Sequence, residues 1–532
     1  MERAEILRIF RERSLIISTS LFFLLMISPS FFISSDGVAK GLYAFLILLA
    51  LLNNARAVYC LLLPFFLLTP FAIYYAVYYR MPTDISLWFT LFGTSITESR
   101  DYLQHARVGI FAMMALPFVL GAILCFPGMK GQYFSKGSKW RIAAVALLLI
   151  PLSYIPRNAD ARDYALDMYR HFRKAYPENV MLGYMAASME VAKLRDMVKA
   201  PPQLHPEIES DARHLSSTYV MVIGESARRD RWHAYGYKVP DTPVMESLPD
   251  VMIFRDMVTY GYVTTDSVPY ILSKSSNGHM NPSFLTAFRQ AGYKVSWLSN
   301  QARYGEFDSL ISAYASEADN IKFLNSHSYS MNYQDSFDEL LMPSFKEALA
   351  DPAPRKLIVL HLYGSHPDFD KRYPPVMGKF VQPYDNSIYY TDYLLGRIIG
   401  MTGQARGPSA LLYISDHGLN LGDCPNVTGH IDFTPSYQVP FLVWTSPDWQ
   451  KAFPGKQLAL IANKEKPVHS GDIFDTLTDM AGIRFPSQNL KQSMADSGYL
   501  PHVRLVKAAS GELDFDHSKT GPDCHLKPVQ SQ

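Results

Sequence analysis

Long apolar runs crowd the first 156 residues and short ones punctuate the rest, so the chain divides into two regions built by different rules. The runs 14–34, 38–53, 57–79, 106–126 and 140–156 predict five membrane spans, and the first, third and fourth have roughly the twenty residues a bilayer core requires. A cleaved signal peptide fits the first run poorly, because its apolar core is too long and four more runs follow. Basic residues orient the spans. Arg3, Arg8, Arg11 and Arg13 precede the first, Arg56 lies between the second and third, and Lys130, Lys136, Lys139 and Arg141 lie between the fourth and fifth. With five crossings these groups share one side, which is therefore cytoplasmic, and everything after residue 156 lies outside. Tyr74, Tyr75, Tyr78 and Tyr79 then form an aromatic belt at the outer end of the third span. Residues 80–105 interleave Leu91, Ile96, Tyr102 and Leu103 with polar positions, which predicts a short interfacial helix.

Residues 158–200 carry a helical amphipathic pattern broken near Pro177 and ended by "PPQLHP" at 201–206. The expected organisation is a transmembrane domain over 1–156, linking helices over 157–210 and a polar domain over 211–532. From residue 217 the runs become short and β-branched: "STYVMVIGES", "YKVSWLSNQ", "RKLIVLHLYGSH", "SALLYISDHG" and "QVPFLVWTS". Helical stretches such as "NPSFLTAFRQAG", "FDELLMPSFKEALA", "NSIYYTDYLLGRIIG" and "GDIFDTLTDMAG" separate most of them. Strands alternating with helices imply an α/β domain with a mostly parallel sheet. The last forty or so residues show no clear pattern.

Composition narrows the function. A net charge of +1 over 532 residues leaves no basic excess to neutralise phosphates, which argues against nucleic acid as a partner. Of four cysteines, Cys60 and Cys125 sit in apolar runs; Cys424 and Cys524 can pair if the polar region is extracytoplasmic. In open α/β sheets ligands bind beyond the carboxyl ends of the strands. Glu225 follows one predicted strand, His361 and His366 end another, and Asp416-His417 follow a third. Singly, each is ordinary: a Glu after a strand suits the next helix dipole, and Asp-His-Gly is a common turn. Together, a Glu, an Asp and a His supply the ligand types zinc takes in catalytic sites, with a position left for a reacting oxygen. "GYVTTDSVPYILS" (261–273) holds two threonines with no histidine base beside them. A hydroxyl held by a metal ion loses its proton more readily than a free one, so the ion itself can activate Thr264. The alternative is that the threonines only cap a helix whose cap is Thr265, Asp266 or Ser267, with Pro269 in its first turn.

Five spans followed in order by "VIGES", "TTDSVP", "HLYGSH" and "SDHG" resemble the phosphoethanolamine transferases of Gram-negative envelopes, in the alkaline phosphatase–sulfatase superfamily. The resemblance covers nearly the whole chain, and the spacing, 39 residues from Glu225 to Thr264 and 152 from Thr264 to Asp416, carries its specificity. It implies a multi-pass inner-membrane enzyme with a periplasmic catalytic domain, acting as a monomer. It implies Thr264 as nucleophile and Glu225, Thr264, Asp416 and His417 as ligands of one zinc ion, a second being left open. His361, His366 and the nearest downstream histidine, His430, would bind the transferred phosphate group or that second zinc. Thr94 and Glu98 match an interfacial pair that contacts the lipid head group, although an Asn found one turn earlier in relatives is Thr90 here. The implied reaction moves phosphoethanolamine from phosphatidylethanolamine to lipopolysaccharide core or lipid A through a covalent intermediate on Thr264. Relatives acting on lipid A usually have cysteines flanking the nucleophile segment and a Thr two places before the nucleophile. Tyr260, Tyr270 and Tyr262 stand there, which makes a core sugar or a periplasmic glucan a plausible acceptor.

Rival readings are weaker. Sulfate-ester hydrolysis needs Cys/Ser-x-Pro-x-Arg, and Ile271 replaces the Arg after Ser267-Val268-Pro269. A phosphoglycerol transferase or phosphodiesterase would use the same residues and differ in head group. A non-catalytic membrane scaffold should have lost a ligand, and none is missing; spans nearly free of charge argue against an ion pathway.

Overall fold

The computed structural model describes residues 2–78, 82–83, 88, 108–134, 138, 145, 161–198, 204–209, 212, 215–276, 280–301, 309–324, 337–424 and 429–529. It divides into two compact units, one holding the residues up to Ala192 and the other most of the chain from Lys193 onward.

In the first unit the apolar runs become helices: α1 (Glu2–Met26), α2 (Ser35–Leu52), α3 (Ala55–Tyr78) and α4 (Val108–Gly128). The run expected at 14–34 is interrupted, because α1 ends at Met26 before a separate turn of helix over Ser28–Phe31. Pro29, at the start of that turn, has no N–H to continue the ladder, and the Ser28 hydroxyl donates to Leu25 O at 2.6 Å. Two described helices are long and apolar enough to cross a membrane, Ser35–Leu52 and Ala55–Tyr74. The fifth run, 140–156, lies outside the described residues apart from residue 145, and so does most of 80–105. The amphipathic region forms α5 (Ala161–Phe172) and α6 (Glu178–Val198), parted around Pro177.

The second unit is a three-layer α/β structure. Its main sheet comprises β1 (Ser217–Gly224), β2 (Val251–Phe254), β3 (Lys294–Ser299), β4 (Asn320–Phe323), β5 (Arg355–His361), β6 (Ser409–Ser415) and β7 (Phe441–Thr445), in the order β2-β7-β6-β1-β5-β3-β4. Strands β6, β1, β5, β3 and β4 run parallel, whereas β7 is antiparallel to both β6 and β2. The sheet is therefore mixed through β7 alone, and four of its six pairings are parallel, in line with the mostly parallel sheet expected. All eight residues of β1 are buried, as a strand covered on both faces requires. Tyr219, Met221 and Ile223 face a core shared with α7 (Thr264–Ser273), α8 (Phe284–Gln290) and α11 (Asp472–Met480). Val220 and Val222 face the opposite core, shared with α9 (Leu341–Ala350) and α10 (Pro383–Thr402).

The patternless end of the chain forms two hairpins, β8 (Leu505–Ala508) with β9 (Gly511–Asp514) and β10 (Ser518–Thr520) with β11 (Leu526–Pro528). Strands of three or four residues are too short to show a period of two. A disulfide joins Cys424 to Cys524, 100 residues apart.

Candidate metal and nucleophile centre

Sheet register assembles the centre. Gly224 pairs with Ser415 across the adjacent parallel strands β1 and β6, so the residues that follow, Glu225 and Asp416, leave the sheet side by side. His361 ends β5, on the other side of β1 and opposite Ile223. Thr264 begins α7 after the extended residue Val263 (φ −139°, ψ 148°). Val263 is the cap, not Thr265, Asp266 or Ser267, and no side chain caps this helix. The Ser267 hydroxyl turns back to Gly261 O at 2.9 Å, and the Thr264 hydroxyl points away from the helix, to the strand ends.

Thr264 Oγ1 donates to Glu225 Oε2 at 3.1 Å and lies 3.2 Å from His417 Nε2. His417 Nε2 is 3.4 Å from Glu225 Oε1 and 3.3 Å from Asp416 Oδ2. Glu225, Asp416 and His417 are almost wholly buried. His417 Nδ1 donates to Gly418 O at 2.8 Å, which leaves Nε2 a lone pair directed among carboxylate oxygens. Asp416 Oδ2 has no hydrogen-bond donor among the described residues. Acceptors crowded together without a donor repel one another unless a cation lies between them, and this donor set, carboxylates and an imidazole, suits zinc. Burial and the Asp416 charge push Glu225 up to about 8, and burial lifts Asp416 to about 6, which is the cost of holding both carboxylates without a cation.

His430 joins this group: one ligand atom from each of Glu225, His417 and His430 falls within 4.8 Å of the others, and the His417 and His430 rings stand 4.9 Å apart. His430 is exposed on its outer side, and desolvation of the rest together with its crowding against His417 holds it below the usual imidazole range. His366 is lowered to about 4 by burial, then by Arg372 and His417. His361 stays in the strand layer, where Trp297 packs against it edge-on at 5.8 Å and Ser299 Oγ lies 3.4 Å from Nδ1; burial lowers it to about 4. The chain turns at Gly364 between the two histidines, and that turn packs against Glu225. A Cβ on Gly364 (φ 50°) would stand 2.8 Å from both the N and O atoms of Glu225, and Ser365 N–H donates to Glu225 O at 2.9 Å. Thr94 and Glu98 lie outside the described residues.

Sequence reading missed two supports. Ser226, at φ 57°, donates its hydroxyl to Glu225 Oε1 at 2.6 Å and its N–H to Asp416 Oδ1 at 3.0 Å, holding both carboxylates from one residue. Gln301 donates to Leu362 O at 3.0 Å and reaches Glu225 Oε2 at 3.4 Å. It follows the β3 strand end, and the strand-end rule finds it once amides are counted beside charges. Where relatives were expected to carry flanking cysteines, the Tyr260 and Tyr270 rings stack 4.0 Å apart at 7°.

The sulfatase family matches residues 217–483. Phosphoethanolamine transferase EptC of Escherichia coli (strain K12) is 25% identical over 474 residues, 82% of this chain and 81% of that protein. Phosphoethanolamine transferase OpgE of the same strain is 34% identical over 315 residues, 57% of this chain and 58% of its own. Among solved structures, the C-terminal periplasmic domain of EcEptC from Escherichia coli in complex with Zn has a TM-score of 0.55 at 25% identity, covering 61% of this chain and 99% of that one. The integral membrane protein lipooligosaccharide phosphoethanolamine transferase A from Neisseria meningitidis shares the fold, with a TM-score of 0.52, 18% identity, and coverage of 89% and 98%.

Proposed function

The chain belongs to the sulfatase family, and from that premise we propose that it is a zinc-dependent phosphoethanolamine transferase acting on an envelope glycan. The observation that carries this reading is the placement of Thr264 Oγ1, 3.1 Å from Glu225 Oε2 and 3.2 Å from His417 Nε2 in a buried acceptor cluster. Glu225, Asp416 and His417 would hold the zinc ion, with His430 beside them. When bound, zinc supplies the Lewis acidity that lowers the pKa of an alcohol.

The residues then divide the work. Thr264 Oγ1 attacks the phosphorus of phosphatidylethanolamine; the new Oγ1–P bond replaces the bond to diacylglycerol, which leaves as an alcohol carrying the proton Thr264 gives up. The N-terminus of α7 favours the negative phosphoryl group now attached there. An acceptor hydroxyl or phosphate on the glycan next attacks the same phosphorus; the Oγ1–P bond breaks, and Thr264 takes back a proton that the acceptor gives up. His366 and His430 would each offer a ring N–H to the equatorial oxygens.

The acceptor is lipopolysaccharide core or lipid A, and the tyrosines around Thr264 favour a core sugar or a periplasmic glucan over lipid A. Five spans over 1–156 would anchor the monomer in the inner membrane, so that donor lipid need not leave the bilayer, with residues 211–532 in the periplasm. The Cys424–Cys524 bridge fits that oxidising compartment. Intact-mass analysis of the full chain incubated with phosphatidylethanolamine tests the chemistry: Thr264→Ser should retain adduct and some turnover, and Thr264→Ala neither. Full turnover by Thr264→Ala would end the covalent reading. Mass spectrometry of lipopolysaccharide and glucans from cells with and without the protein identifies the acceptor.

A further inference from the structure

The two chain-end hairpins tie together the segments that carry Thr264 and His430. On one side, Lys507 of β8 donates its N–H to Tyr260 O at 2.7 Å and its Nζ to Asp266 Oδ1 at 2.7 Å, so it grips the chain before and after Thr264. Glu512 of β9 accepts from the Tyr260 hydroxyl at 2.6 Å. On the other side, both hairpins converge on Asp432, which lies two residues after His430 and is 1% exposed. Its Oδ2 accepts from Ala509 N–H at 2.8 Å, in the β8–β9 turn. Its Oδ1 accepts from His525 Nδ1, in the β10–β11 turn, and its main-chain O from Leu526 N–H at 2.6 Å. A carboxylate buried this far is costly unless donors fill its oxygens, and here each side-chain oxygen is filled from a different hairpin. Val506, Ala508 and Leu526 pack with Val258 and Tyr437 in one small core, which anchors both hairpins.

No hydrogen bond among the described residues holds the His430 ring, so its place 4.9 Å from the His417 ring depends on how its backbone is held. Glu225 joins the two segments at the centre: it accepts from Thr264 at 3.1 Å, and one of its oxygens lies within 4.8 Å of a His430 ring nitrogen. We propose that Asp432 is a positioning residue for the transfer: it pins the chain beyond His430 to the same hairpin that grips Tyr260 and Asp266, and so sets the His430 ring against the nucleophile. The inference rests on the transferase reading above and deepens it.

The test compares Asp432→Ala, Asp432→Asn, His430→Ala and the Asp432→Ala/His430→Ala double variant with the parent, each as the full chain in detergent. At saturating phosphatidylethanolamine the rate of Thr264 adduct formation should fall about tenfold or more in Asp432→Ala, as loss of charge-assisted hydrogen bonds implies. Asp432→Asn keeps one acceptor oxygen and should recover part of the rate; it also replaces Asp432→Ala throughout if that variant does not fold. In the His430→Ala background the Asp432 substitution should change the rate by less than about twofold, because the ring it seats is gone. A purely structural role predicts the full loss again in that background, and this result, or a parent-like rate in Asp432→Ala, overturns the proposal. Labelling with diethyl pyrocarbonate, read by peptide mass spectrometry, follows the ring without turnover. His430 should react about threefold or more faster in Asp432→Ala, since a ring released from its packing is open to reagent for more of the time. His517, whose side chain is 83% exposed, serves as the unchanged reference. An unchanged His430 labelling rate overturns the positioning role. Should the parent form no Thr264 adduct, the transferase reading falls, and the labelling comparison still decides whether Asp432 seats His430.

Discussion

Replacing Ser226 by Ala removes one hydroxyl from a site where it donates to Glu225 Oε1 at 2.6 Å, and leaves the backbone N–H that reaches Asp416 Oδ1 at 3.0 Å. A hydrogen bond to a charged acceptor in a buried setting is worth about 1.5–3 kcal/mol. At about 1.4 kcal/mol per factor of ten, zinc affinity should fall roughly ten- to hundredfold, in line with the effect of outer-shell partners at other metal sites. Ser226→Gly removes the same hydroxyl but suits the left-handed backbone at φ 57°, a conformation that costs a residue with a Cβ about 1–2 kcal/mol. The two variants should therefore lose similar zinc affinity, with the Gly form the more stable to heat. Competition between the full chain and a chromophoric zinc chelator measures the first effect, and thermal unfolding the second. Zinc affinity within twofold of the parent in both variants would refute the idea that Ser226 holds Glu225 in place for the ion.

Gly364→Ala should lose most activity and about 1–3 kcal/mol of stability, because the added Cβ meets Glu225 backbone atoms at 2.8 Å and φ is 50°; thermal unfolding and turnover check this together. Opening the Cys424–Cys524 bridge with reductant, or by Cys424→Ser, should cost about 2–5 kcal/mol, given the 100 residues it spans; an unchanged melting temperature under reductant refutes this. The metal-stripped enzyme should respond to pH in the opposite sense from a protein with paired carboxylates. Glu225 rises from 4.5 to about 8 on folding, so the folded state holds a proton the unfolded state has shed, and this share of stability is lost as pH climbs through that window. Thermal unfolding with chelator should give a lower melting temperature at pH 8 than at pH 6, and added zinc should oppose the loss, since it binds the deprotonated ligands.

The parallel half of the sheet was legible because β1, β3, β5 and β6 are covered on both faces and so read as continuous apolar runs. The edge strands β2 and β4 were not, being four residues long and only partly buried, with patterns that local propensity cannot separate from loop. Direction was also hidden: "QVPFLVWTS" is apolar enough for a strand, but only its pairing reveals that β7 runs antiparallel. At the site, Glu225, Thr264, Asp416 and His417 converge as anticipated because each sits at an element end, where sheet register decides the neighbours. His361 and His366 looked equivalent in "HLYGSH", yet the turn at Gly364 separates them and only His361 stays in the strand layer. Ser226 escaped notice because its importance lies in the hydrogen bonds it makes, which no residue pattern records.

The paired rings of Tyr260 and Tyr270 carry a consequence for how this protein meets chemical stress. A thiol reductant entering the compartment can open the link that fastens the loop before His430 to the last hairpin, but it finds no sulfur flanking the threonine. Damage would thus begin at the last hairpin and not at the segment that carries Thr264. The hydroxyl of Thr264 should therefore keep its place beside Glu225 and His417 when that link is broken, a separation of fates that a cysteine-braced loop would not allow.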